Sequence, residues 1–98
     1  MERLEIRKQL DELMLEKFGF HAERLSDAEK TRSLLNPSIG FQAIDILVLF
    51  MEVERNFNIR LCQEDVVEKR FDIYNNILDI VENHMVSDSK ESVSIIRH

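Results

Sequence analysis

Two glycines and one proline among 98 residues leave little material for the tight turns of a β-protein, and the shortage favours helices. Cys62 is the only cysteine, so no intramolecular disulfide can form, which suits the reducing cytosol. No run approaches the ~20 apolar residues of a membrane span. The opening Met1-Glu2-Arg3-Leu4-Glu5 is charged and lacks the apolar core of a signal peptide. The expected location is therefore the cytoplasm, with no membrane partner. Positive charge is scarce: 13 Lys/Arg face 19 Asp/Glu, a net charge of −6. A phosphate backbone would repel such a surface, so nucleic acid is not an expected partner, whereas basic proteins are. No glycine-rich phosphate loop and no triad spacing occurs. His21, His84 and His98 are scattered, without Cys, Asp or Glu at ligand spacing, and read as surface or boundary residues rather than metal ligands. Neither a catalytic residue nor enzyme activity is expected.

What is present is a soluble globular balance of 44% apolar and 33% charged residues. The length suits one domain, since domains most often run to roughly 100–150 residues. A chain this short buries only about 60–65% of its unfolded surface, so one modest core is expected.

Leu4, Ile6, Leu10, Leu13, Met14 and Phe18 fall close to helical spacing and predict an amphipathic helix from about Glu2 to Lys17, ended by Gly19. A polar connection follows from about Phe20 to Ile39. In it Asp27-Ala28-Glu29-Lys30 suits a turn, and Leu34-Leu35 can pin the loop to the core. Asn36-Pro37-Ser38 forbids a continuous helix. Residues 43–57 carry the strongest helical pattern, and Asn58 suits a left-handed end. On that helix Leu47, Phe50, Val53, Glu54 and Phe57 fall near one face, flanked by Ile44 and Leu49. Ile46, Val48 and Met51 are then the candidates for exposure. Ile59 to Cys62 reads as a short extended link, Gln63 to Val67 as a helical turn with acids at its start. Asp72 is positioned to cap a last helix whose buried stripe is Ile73, Ile77, Ile80, Val81 and Met85. The domain is expected to span residues 1–85, with a serine-rich, charged and mobile tail over 86–98.

This order, with Gly40-Phe41-Gln42-Ala43-Ile44-Asp45 and the run Leu49-Phe50-Met51-Glu52-Val53-Glu54-Arg55-Asn56-Phe57-Asn58-Ile59-Arg60-Leu61, resembles the acyl carrier and peptidyl carrier proteins. In that family a Gly-x-Asp-Ser-Leu motif opens the second helix, which ends in an acidic run, a Phe and an extended Ile-x-Ile/Leu-Pro stretch. Phe71-Asp72-Ile73-Tyr74-Asn75-Asn76-Ile77 is similar to the family's start of its last helix. The resemblance covers roughly Glu2 to Met85. It implies an all-α, acyl-carrier-like four-helix bundle: three main helices plus a short third helix.

The family's serine carries 4′-phosphopantetheine, whose phosphate is favoured at a helix N-terminus. Carried over by position, that serine falls on Ala43 and the preceding Asp on Gln42. A methyl group cannot form a phosphodiester, so the resemblance implies no phosphopantetheine here, unless Ala43 is an engineered change from serine. The companion departure at Gln42 favours a natural change. A third reading moves the attachment to Ser38, in the loop. Cys62 stands where the family often has proline, and buried or half-buried packing is its expected role.

In acyl carriers the exposed face of the second helix is where basic enzymes dock. By position Asp45, Met51 and Glu54 keep the family's character, while Val48 and Arg55 replace commonly acidic residues. Two readings of this face stand side by side. Ile46 and Val48 are covered by the long loop, or they form an apolar docking patch for a dedicated partner or a second copy of the chain. The expected function is docking to a partner enzyme in a biosynthetic or peptide-modifying setting, through Gln42, Asp45, Val48, Met51, Glu54 and Arg55. The alternatives are a working carrier seen as a Ser→Ala variant, and a helical adaptor or dimerisation module.

Overall fold

The computed structural model describes the backbone of residues 2–96 and the side chains of residues 2–85. Ile6, Leu10, Leu13 and Met14 lie at helical spacing on one side of α1, Arg3–Phe18, and all four are buried. The helix stops at Gly19, whose φ of 63° is left-handed. The Gly19 and Phe20 N–H groups turn back to the carbonyls of Leu15 and Met14 at 2.9 and 3.2 Å, a closure that favours a residue without Cβ. Leu4 does not join the stripe and is 62% exposed. It lies two residues before Ile6, about 200° round the helix.

The long loop contains two 3-10 turns, Ala22–Arg24 and Glu29–Thr31. The second begins slightly later than the turn expected at 27–30. Ser26 and Glu29 exchange hydrogen bonds there, Ser26 N–H to Glu29 Oε1 at 2.9 Å and Glu29 N–H to Ser26 Oγ at 3.1 Å, the reciprocal pairing of a helix-start box. Leu34 pins the loop as expected, fully buried, whereas Leu35 is exposed. The Leu34 N–H donates to Asp72 O at 2.7 Å, and Ser33 forms an isolated antiparallel bridge with Ile73.

α2 spans Ala43–Phe57 and ends at Asn58 with φ 53°. It buries Leu49, Val53 and Phe57, spaced by four. After the extended link comes α3, Gln63–Val67. α4, Tyr74–Ile96, buries Tyr74, Ile77, Leu78, Ile80 and Val81, with Met85 packed at the edge of the core. α1 packs against both α2 and α4, and α4 also meets the Glu29–Thr31 turn. Each large apolar side chain so buried contributes about 1.5–3 kcal/mol relative to exposure.

Two expectations about α4 are corrected. The residue before its first is Ile73, not Asp72. Asp72 instead accepts hydrogen bonds from Ser33 Oγ at 2.5 Å and Arg70 Nε at 3.0 Å, fastening the loop to the start of the helix. The helical backbone also continues to Ile96 rather than ending near Met85. The mobile tail expected over 86–98 lies outside the residues whose side chains are described.

Candidate functional site

The start of α2 is held by the loop before it. Asn36 Oδ1 accepts the Ser38 N–H at 3.0 Å and the Ser38 hydroxyl at 2.9 Å, and Asn36 O accepts the Gly40 N–H at 2.9 Å. Gly40 then turns through a φ of 97°. Phe41 is buried against Phe18 and Phe20, with ring centroids 5.3 and 5.0 Å away. With Phe41 anchored, Gln42 sits in extended geometry at the helix start, and its N–H donates to Asp45 Oδ2 at 2.9 Å. Ala43 is the first helical residue and is exposed.

Opposite the buried Leu49, Val53 and Phe57, α2 presents apolar side chains to solvent. Ile44 is 59% exposed, Leu47 54%, Val48 37% and Met51 58%. They recur at intervals of three and four, so they form one stripe. Beside it, a groove of about 290 Å³ between α2 and the α3 region is lined by Ala43, Ile46, Leu47, Phe50, Val66 and Phe71. Phe50 meets Phe71 edge-on at 5.6 Å on its floor. Val66 and Val67 of α3 continue the apolar exposure.

α3 is held in place by Asp65, which is 1% exposed. Its Oδ2 accepts the Cys62 N–H at 2.9 Å and the Cys62 thiol at 3.3 Å, and lies 2.8 Å from His84 Nε2 on α4; Lys69 Nζ is 3.4 Å from Oδ1. Burial alone would push this carboxyl up. The hydrogen bonds from Cys62 and His84 outweigh it and hold the pKa down at about 2.

No protein-family model matches the chain, and no curated protein matches it in sequence. Among solved structures it is similar to an acyl carrier protein from Thermotoga maritima, with a TM-score of 0.66 and 25% identity over 89% of this chain and 94% of that one. The fold is acyl-carrier-like.

Within this acyl-carrier-like bundle the six expected docking residues separate into two groups. Val48, Met51 and Arg55 lie on the outward stripe, and Gln42 is exposed at the helix start. Asp45 and Glu54 are half-buried on its flanks and serve the backbone: Asp45 caps Gln42, and Glu54 Oε2 accepts the Leu61 N–H at 2.8 Å. The face expected to hold Leu47, with Ile44 beside it, is corrected. Both are exposed, while Leu49 is fully buried and Ile46 packs partly against the core. The spacing Leu49–Val53–Phe57 carried the signal, because it sets the inward direction for the whole helix.

Cys62 is exposed rather than buried, and it stands at the N-cap of α3, one carboxylate away from His84. Ser38 lies in the loop before α2 with its hydroxyl donated to Asn36, and is not itself a helix-start residue. His21 pairs with Glu23 at 3.1 Å. Among the described residues, no three His, Cys, Asp or Glu side chains are placed to hold a metal ion, and no helix is long and apolar enough to cross a membrane.

Proposed function

We propose that this chain is a non-catalytic relative of the acyl carriers that docks to a partner enzyme without carrying phosphopantetheine. The observation that carries the reading is the outward stripe of Ile44, Leu47, Val48 and Met51, which starts at Ala43. A hydroxyl at that first position would be needed for a phosphodiester, and alanine has none. Contiguous apolar exposure on a surface helix marks a contact surface. Here desolvation of the stripe supplies affinity. Asp45, Glu54 and the overall acidity steer a partner whose apolar contact is ringed by Lys or Arg.

The setting proposed is a biosynthetic or peptide-modifying one, and the partner is sought among enzymes encoded beside this gene. Calorimetric titration of each enzyme with the wild-type chain, Leu47→Lys, Met51→Lys and the α1 control Leu15→Lys tests the reading. A lysine in the centre of the stripe is expected to weaken binding about tenfold or more, equivalent to about 1.4 kcal/mol. Leu15 is exposed on a different helix and its change should leave affinity intact. Equal affinity of all four proteins would count decisively against docking through α2.

A further inference from the structure

A second concavity, remote in sequence from the α2 stripe, is not used by the docking reading and does not depend on it. It measures about 310 Å³ and lies where α1, α4 and the Glu29–Thr31 turn converge. Arg3, Arg7 and Lys30 line it, together with Leu4, Tyr74 and Leu78. Three cations around one hollow are notable in a chain with a net charge of −6. Tyr74 and Leu78 are buried and form an apolar floor, and the exposed Leu4 side chain makes one wall.

The charges are not all neutralised locally. Arg3 is engaged by Asp79 at 2.7 Å and Glu82 at 3.2 Å. Among the described residues, neither Arg7 nor Lys30 has a carboxylate within 4.0 Å. Both act at longer range on Asp11, which accepts the hydrogen bond of the Tyr74 hydroxyl. Burial holds the Asp11 carboxyl above its ordinary range, against the opposing pull of the Tyr74 hydrogen bond and of the two cations. Glu23 also acts on Asp11, but its own carboxylate is turned to His21 at 3.1 Å. One resident carboxylate therefore faces two cations that hold no close ion pair. A guanidinium and an ammonium on neighbouring elements can grip one oxyanion, with charge-assisted hydrogen bonds of about twice the neutral strength.

We propose that this cleft binds a small organic anion, with its acid group between Arg7 and Lys30 and its apolar part over Tyr74, Leu78 and Leu4. The ligand class follows from the lining: cations at the rim for the acid, carbon at the floor for a short chain or ring.

The test is an amide-resolved NMR titration of the full chain with hexanoate, inorganic phosphate and hexylammonium. Hexanoate is expected to give saturable shifts at Leu4, Arg7 and Asn75, and to bind more tightly than phosphate, with no saturable response to hexylammonium. Lys30→Gln and Arg7→Gln should each weaken hexanoate about tenfold. Arg7 also interacts with Tyr74, so Lys30→Gln is the variant that separates ligand contact from folding. The assignment is overturned if hexanoate does not saturate. It is equally overturned if phosphate or hexylammonium binds as well, or if Lys30→Gln leaves the affinity unchanged.

Discussion

Asp65 joins two parts of the molecule through one buried carboxylate: Cys62 at the N-cap of α3, through both its N–H and its thiol, and His84 on α4. Its folded pKa of about 2 lies below the ordinary 3.8, so the unfolded chain binds a proton more readily than the folded one. The stability it contributes is therefore fully present above about pH 4 and is lost as pH falls through about 2. It amounts to about 2 kcal/mol. Asp65→Asn removes this titration. Denaturant unfolding of both proteins should show a gap of about 2 kcal/mol at pH 5 that closes as the pH is lowered to 2. A gap independent of pH would contradict the role assigned to the carboxylate. The arrangement was half legible in the sequence. Cys62 and Asp65 have the three-residue spacing of a helix-start box, but His84 lies 19 residues further on, and only the tertiary fold brings it against Asp65.

At the scale of elements, α2 divides into a stabilising side and a presenting side. Leu49 is fully buried, whereas Met51, two residues later, faces out. Leu49→Ala should cost about 2–5 kcal/mol, the usual penalty for emptying a core leucine site, while Met51→Ala should stay within about 0.5 kcal/mol. Thermal or urea unfolding measures both, and similar losses at the two positions would refute the assignment of faces. The existence and ends of α1 and α2 were readable because Gly19 and Asn58 both suit the left-handed ends they adopt. The orientation of α2 was not. Residues 46–51 are apolar without interruption, so their pattern has no phase, and the inward direction emerges only from Leu49, Val53 and Phe57 together. The loop was legible at Leu34, which is buried as expected. Its fastening through Ser33 and Asp72 depends on a contact across 39 residues.

For the whole molecule, an acyl-carrier-like fold presents an outward apolar stripe on α2, and the role proposed for that stripe is recognition rather than carriage. The bundle anchors the start of α2 through Phe41 and the Asn36 turn, which is the kind of support a modification site or a docking site requires. Alanine at position 43 supplies no oxygen for attachment, and the outward stripe beginning there is apolar. The measurement that bears most directly on this is intact-mass spectrometry after incubation with coenzyme A and a broad-specificity phosphopantetheinyl transferase. The wild-type chain is expected to keep its mass, while Ala43→Ser gains the phosphopantetheine arm because the shape around α2 is retained. Gain of the arm by the wild-type chain would contradict the account.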